Sequence, residues 1–176
     1  MRLFFGLPLP DAAHQAVCGR AAACRKAIEG RYVRENNYHM TLAFLGDVPE
    51  NRVNDAAEIL RRCVGGMPAP HLTLGETSYF GRAANAILIV RVTSDPSLDS
   101  LHGALVQALS AAELPFDPGP FSPHITLARH ARAEGLSLPS GPAISFVPDK
   151  AHLYLSARNA EDVLTYTPIA SAFFHS

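Results

Sequence analysis

The sequence has no tryptophan, only two lysines and only three cysteines, and no two cysteines form a Cys-x-x-Cys pair. An odd number of cysteines without such a pair argues against a disulfide framework and favours a reduced, cytoplasmic protein. No apolar run approaches transmembrane length, and the apolar start from Met1 to Gly6 is too short for a signal peptide. We therefore expect no membrane partner.

Charge of either sign is also scarce, since 18% of the residues are charged and the formal net charge is −1. Without an overall basic field, the chain is not expected to coat long nucleic acids. Any nucleic acid must instead be met by a local basic cleft with a short footprint. All but two of the 15 basic residues are arginines. This bias is typical of a GC-rich genome, and it also suits bidentate binding of phosphate.

Glycine-rich loops between strand and helix are missing, which disfavours a doubly wound nucleotide-binding fold. Local patterns predict strands at residues 2–7, 38–45 and 86–93 and around His124, with further candidates at 71–74, 143–147 and 151–155. Helices are predicted from an N-cap at Asp11 to about Ile28, from Pro49 to Gly65, and from Ser94 to about Glu113.

The order of these elements repeats in the two halves of the chain. Leu3 opens the first copy and Ile87 the second, an offset of 84, while His39 and His124 are 85 residues apart. We therefore predict an α+β fold that is bilobal and duplicated, with two mostly antiparallel sheets flanked by helices around a central pseudo-twofold cleft. Residues 1–176 would form a single domain of two intertwined lobes, with repeats at approximately 1–80 and 86–160.

Each copy carries a His-x-Thr-Leu motif on a predicted strand, at His39–Leu42 and at His124–Leu127. Because side chains alternate between the two faces of a strand, each His shares a face with its Thr. One such motif is a weak signal, but two at equivalent places in a repeat are specific. A third match at His71 lies at no equivalent position, so we interpret it as an ordinary start of a strand.

Two imidazoles that face one cleft are suited to the hydrolysis of a phosphodiester. One ring would deprotonate water and the other would protonate the departing oxygen, which predicts a bell-shaped pH profile. The hydroxyls of Thr41 and Thr126 can donate hydrogen bonds to the non-bridging phosphate oxygens. The residues alone leave open which histidine is the acid.

The paired motifs, with Phe44-Leu45-Gly46 after the first and Pro123 before the second, resemble the two-histidine phosphoesterase superfamily. The similarity is to its RNA 2',3'-cyclic phosphodiesterases, also called 2'-5' RNA ligases (LigT/ThpR type). It covers nearly the whole chain, from Phe4-Phe5-Gly6 to Tyr166-x-Pro168. The resemblance implies hydrolysis of an RNA 2',3'-cyclic phosphate end to a 2'-phosphate, with no cofactor and no metal. The expected partner is RNA with such an end, tRNA fragments included, and the enzyme is expected to be a monomer.

By this resemblance, His39 is the proton donor, His124 the proton acceptor, and Thr41 and Thr126 hold the phosphate. Arg129 matches a basic residue of the family's second motif, as a substrate-binding group. Strict alternation puts Arg129 on the face opposite to His124, so it reaches the cleft only if the strand ends or bulges there.

Three further residues are candidates for substrate binding. Tyr38 and Phe121 fall at strand ends, where an aromatic ring can stack on a base. His130 follows Arg129 and would share the face of His124. Phe44, in contrast, is predicted to lie in the core, because it shares parity with Met40 and Leu42.

Three alternatives remain open. A metal enzyme is disfavoured because no acidic or cysteine ligand falls beside either motif. A non-enzymatic RNA-binding module is disfavoured because both histidines and both threonines are present. A phosphodiesterase for another cyclic nucleotide or a 2'-5' oligonucleotide, or a ligase role, cannot be separated by sequence, since one His pair can run the ester exchange in either direction.

Overall fold

The computed structural model describes residues 1–175, whose strands and helices follow the chain in the order that the local patterns indicate. The strands are β1 (Arg2–Pro8), β2 (Arg31–Tyr32), β3 (His39–Asp47), β4 (Leu72–Arg82), β5 (Asn85–Ser94), β6 (His124–Ala131), β7 (Ser145–Phe146), β8 (Lys150–Arg158) and β9 (Leu164–Phe173). The α-helices are α1 (Asp11–Arg25), α2 (Val53–Gly65) and α3 (Pro96–Ala111).

The strands form an antiparallel sheet in the order β7-β4-β5-β6-β3-β1-β8-β9, and β2 pairs with the C-terminal part of β6. The α+β class is thus confirmed. Within residues 1–175, one strand pairing joins the two halves of the sheet, that of Met40 on β3 with Ile125 on β6. It unites the two predicted sheets into one. Strand β4 lies with β5 and β6, and β8 lies with β1, so each half of the sheet takes strands from both halves of the chain.

A single apolar cluster connects the three helices with the sheet. Helix α2 buries Ala56, Ala57, Leu60 and Val64 on one face, and α3 buries Leu98, Leu101, Leu105 and Leu109. These are the apolar positions at helical spacing in the sequence. The side chain of Asp95 accepts a hydrogen bond from the N–H of Ser97, which caps α3 where the sequence predicted its start.

Three local expectations differ from the structure. Helix α1 begins at Asp11 itself, because Pro10 takes the N-cap position without a side-chain cap. The helix ends at Arg25 rather than near Ile28. Strands β2 and β9 were not predicted; β9 contains Pro168 but lies at the edge of the sheet, where a missing N–H is tolerated.

A β-bulge follows the His-x-Thr motif in both β3 and β6. Phe5 pairs with Ala43 and Gly6 with Thr41, so Leu42 is the extra residue in β3. In the same way, Ile89 pairs with Thr126 and Leu88 with Ala128, so Leu127 is the extra residue in β6. Each bulge shifts the alternation by one residue beyond the motif.

The shift of alternation changes which residues reach the histidine face. Phe44 is only partly buried, so the prediction that it lies in the core was wrong. Arg129 occupies the equivalent place after the second motif and is exposed. The bulge therefore supplies the condition under which Arg129 can reach the cleft.

The carbonyl groups of the two bulge residues are both hydrogen-bonded from outside the ladder. Nδ1 of His102 on α3 donates to the carbonyl oxygen of Leu42 at 2.8 Å. The N–H of Val33, next to β2, donates to the carbonyl oxygen of Leu127 at 2.8 Å. Each bulge is thus held in place by a neighbouring element.

Replacement of His102 by Leu should lower the free energy of unfolding by about 1–3 kcal/mol, because the carbonyl of Leu42 then loses its donor. Urea denaturation measures the change. The matched control is His71→Leu, at an exposed position, which should alter stability by less than about 0.5 kcal/mol. Equal stability of the two variants would show that the His102 bond does not support the bulge.

Candidate active site

A cavity of about 610 Å³ lies where the two halves of the sheet meet, and both motifs contribute to its lining. The lining includes His39, Thr41, His124 and Thr126. When the pairing of Met40 with Ile125 is extended by one residue each way, His39 comes to lie across from Thr126, and His124 across from Thr41. The four polar side chains therefore form one compact group on the cleft face.

The two imidazole rings are held by the same hydrogen bond. Nδ1 of His39 lies 2.7 Å from the carbonyl oxygen of Asn37, and Nδ1 of His124 lies 2.7 Å from that of Ser122. A carbonyl only accepts, so each Nδ1 carries a proton and each Nε2 is left for the cleft. Nε2 of His39 accepts from the hydroxyl of Thr41 at 3.0 Å.

Asn37 is a site residue that the sequence analysis missed. Its buried side chain donates to the carbonyl oxygen of Leu164 at 2.9 Å and accepts from the N–H of Tyr166 at 3.3 Å. These bonds tie the short 3-10 turn Glu35–Asn37 to β9 and so fix the carbonyl that orients His39. The local signal is its position two residues before the histidine, which Ser122 shares before His124.

Aromatic rings enclose His39 more than His124. The centroid of the His39 ring lies 4.7 Å from that of Phe4 and 5.1 Å from that of Tyr166. Gly6 leaves room for this packing, because a Cβ at that position would lie 3.3 Å from Cδ2 of His39. The ring of His124 meets the ring of Phe80 in a T-shaped contact at 4.9 Å.

This environment keeps both histidines neutral near pH 7 in the free protein. Burial lowers the pKa of His39 from 6.5 to about 4, the bond to Asn37 offsets part of the shift, and positive charge on His124 and Arg129 adds to it. Burial also lowers the pKa of His124, with further lowering by Arg129 and Arg91. A phosphate anion between the rings would raise both pKa values.

Arginines make the cleft positive although the chain is not. Arg2, Arg129 and Arg158 line the cavity together with the two motifs, and its lining contains no Asp or Glu. Arg158 contacts the carboxylate of Asp162 at 3.4 Å, whereas Arg2 lies over the ring of Phe44 at 4.9 Å. The cleft thus offers guanidinium groups to an anion. Because the net charge of the chain is low, such a local basic cleft was expected for any contact with a nucleic acid.

The structure does not bring Tyr38 to the cleft. Its side chain is 6% exposed and belongs to the core. Tyr38 shares parity with Met40 and Leu42, which both face the core. Base stacking by this ring is therefore not supported.

Of the other two residues predicted to bind substrate, Phe121 lies beside the cleft and His130 does not. Phe121 lines an adjoining cavity of about 360 Å³, shared with Phe80 and His124, and stacks on His102 with centroids 4.0 Å apart. His130 is exposed, has a positive φ of 52° and contacts Oδ1 of Asn85 through Nδ1 at 3.0 Å. His130 is not among the residues that line either cavity.

Two further observations concern residues 1–175. No three His, Cys, Asp or Glu side chains in this part of the chain are arranged to hold a metal ion. None of its helices combines the length and the apolar character that crossing a bilayer requires.

Comparison with known proteins places these features in a family. A family model described as the 2'-5' RNA ligase superfamily matches residues 10–156. The RNA 2',3'-cyclic phosphodiesterase of Geobacillus stearothermophilus is 32% identical over 175 residues, which are 96% of this chain and 55% of that protein. The protein of the same name from Escherichia coli is 29% identical over 96% of this chain and 93% of its own length.

The chain therefore spans about half the length of the Geobacillus relative and of a Thermotoga maritima relative, of which it covers 56%. Among solved structures, E. coli LigT complexed with 3'-AMP has a TM-score of 0.82 and 27% identity, covering 99% of this chain and 98% of that one. The protein TT0787 of Thermus thermophilus has a TM-score of 0.84 at 24% identity with the same coverage, which supports the fold.

Replacement of Arg129 by Gln should raise the pKa values of both His39 and His124, because the guanidinium disfavours a second positive charge on either ring. Titration of the imidazole signals by NMR measures both values. Arg132→Gln is the control, since Arg132 is an exposed neighbour that pairs with Glu29. A titration curve that is the same in all three proteins would contradict this electrostatic account.

Proposed function

The chain belongs to the 2'-5' RNA ligase superfamily, and on this basis we propose that it is an RNA 2',3'-cyclic phosphodiesterase that opens a terminal cyclic phosphate to a 2'-phosphate. The observation that carries the proposal is the matched pair of imidazoles. Both rings donate through Nδ1 to a carbonyl two residues earlier and leave Nε2 for one arginine-lined cleft.

In the proposed reaction, Nε2 of His124 takes a proton from water, and the water oxygen attacks the phosphorus. The bond from phosphorus to O3' breaks, and Nε2–H of His39 protonates that oxygen. The product carries the phosphate on O2'. The assignment of His39 as the acid follows the family pattern, and it requires the bound phosphate to raise the pKa of His39 from its low value of about 4 in the free protein.

The threonine beside His39 can change its role with the protonation state of the ring. While His39 is neutral, Nε2 accepts from the hydroxyl of Thr41. Once Nε2 is protonated it can no longer accept, so this hydroxyl is free to donate to a non-bridging oxygen. Thr126 and Arg129 would hold the remaining oxygens, and the five donors of the guanidinium suit this contact.

The remaining features of the substrate are also part of the proposal. The cavity that Phe80 and Phe121 line offers aromatic surface for a base next to His124. RNA ends, those of tRNA fragments included, are the proposed substrates, and the enzyme would act as a cytoplasmic monomer. The same groups would catalyse 2'-5' ligation, because each proton transfer can run in reverse. The proposal also includes the origin of residues 1–80 and 86–160 by duplication.

His39→Ala and His124→Ala should each reduce turnover by about 100-fold or more, since each removes a proton-transfer group. The assay follows the 2'-phosphate product from an RNA oligonucleotide with a 2',3'-cyclic phosphate end, without added metal and with a chelator. His71→Ala is the matched control, because His71 has the same His-x-Thr-Leu context outside the cleft and should retain full activity. Full turnover in either cleft variant, with circular dichroism showing a folded protein, would refute the mechanism.

The pH dependence should differ between kcat/KM and kcat. The active form of the free enzyme has one protonated imidazole, and burial lowers the pKa of both rings, so the optimum of kcat/KM should lie below pH 6.5. The bound anion raises both pKa values, so the optimum of kcat should lie at higher pH. Coincident optima above pH 6.5 would argue against neutral histidines in the free enzyme.

A further inference from the structure

A third cavity, of about 480 Å³, extends the cleft away from the histidines along β2. It shares Asn37, Arg129, Arg158 and Tyr166 with the cleft, so the two spaces adjoin each other. Four arginines line it, at positions 31, 34, 129 and 158, against a single carboxylate from Asp162. Asp162 pairs with Arg158, which leaves the charge of the other three without compensation from the lining.

Two of these arginines face each other directly. Arg31 on β2 pairs in antiparallel register with Arg129 on β6. Like charges at directly opposite positions destabilise a pair of strands. Within the described chain, Arg31, Arg34 and Arg129 have no carboxylate oxygen within 4.0 Å, whereas Arg52, Arg61, Arg91 and Arg132 each do. A bound anion would offset the repulsion between Arg31 and Arg129.

The backbone holds Arg31 in this unfavourable position. The N–H of Arg132 donates to the carbonyl oxygen of Glu29 at 2.8 Å, and the N–H of Val33 donates to that of Leu127 at 2.8 Å. Gly30 lies so close to β6 that a Cβ there would be 3.1 Å from Cα of Ala131. The backbone positions of Arg31 and Arg129 are therefore fixed before any ligand arrives.

The other end of the cleft has the opposite character. Within residues 1–175, the cavity around Phe80 and Phe121 is lined by Asp117 and by no Arg or Lys. Arg91, which lies 5.7 Å over the ring of Phe80, pairs with Glu76. A polyanion that enters the cleft is therefore drawn towards β2. An RNA whose 3' end is a cyclic phosphate continues in one direction only, through its O5' atom to the next phosphodiester.

We propose that Arg31 and Arg34 bind the phosphodiester on the 5' side of the terminal nucleotide, so that the enzyme prefers oligonucleotide ends to cyclic mononucleotides. The inference rests on the proposed function, because that function supplies the cyclic phosphate between His39 and His124. It adds a binding site for the RNA chain that is separate from the groups that act on the reacting phosphate.

The test compares two substrates, 2',3'-cyclic AMP and a single-stranded pentanucleotide that ends in the same cyclic phosphate. Arg31→Gln and Arg34→Gln should each raise KM for the pentanucleotide roughly tenfold, while kcat and KM for 2',3'-cyclic AMP stay unchanged. The slope of log KM for the pentanucleotide against log salt should fall by about 0.7 for each phosphate that the variant no longer neutralises. Arg132→Gln is the control and should alter neither substrate.

Equal effects on both substrates, or no effect on the pentanucleotide, would overturn the inference. A second readout separates charge from structure: Arg31→Gln should raise the thermal unfolding midpoint because it relieves the repulsion with Arg129, whereas a residue needed for structure would lower it.

A third measurement is independent of turnover. A pentanucleotide ending in a 2'-phosphate should bind more weakly to Arg31→Gln by fluorescence anisotropy, and unchanged binding would refute this site while leaving the proposed hydrolysis intact.

Discussion

The pairing of Met40 with Ile125 is the constraint on which the cleft depends, because within residues 1–175 it is the one strand pairing between the two halves of the sheet. Both side chains are fully buried, so the hydrophobic core fixes their register. A slip of either strand by one residue would turn its histidine into the core and expose the leucine of its motif. The cost of exposing that apolar surface therefore keeps four polar groups on a common face.

The two bulges lie at equivalent positions in the two halves, but the residues that they direct towards the cleft differ. They follow the motifs at equivalent positions, and each re-aims the fifth residue after its histidine. That residue is Phe44 in one half and Arg129 in the other. We infer that this difference defines the polarity of the cleft, with aromatic surface on one side and guanidinium groups on the other. The end of an RNA is also asymmetric, since its chain continues on one side of the terminal ribose only.

Periodicity in the sequence was sufficient for the larger elements and for the two motifs. Apolar spacing located α2 and α3, and alternation placed each histidine with its threonine. A bulge leaves no such signal, because it depends on how two strands pair, and for this reason Phe44 was assigned to the wrong face. The same limit applies to Arg31, whose two-residue strand is held by backbone contacts with distant residues. The carbonyl group of Asn37 orients His39. Because every residue carries a carbonyl group, an asparagine at this position does not predict that role.

The electrostatics of the cleft connect binding with readiness for reaction. Desolvation of the buried ring is the main cause of the low pKa of His39, and positive charge on His124 and Arg129 lowers this pKa further. An anion with one negative charge changes the balance, because it interacts favourably with Arg129 and with a protonated ring at the same time. In the proposed mechanism the acid is therefore charged mainly when substrate is present. Arg129 would thus bind the phosphate and add to the effect of desolvation, which keeps His39 neutral until the phosphate arrives. This links the protonation of the acid to the substrate that needs it.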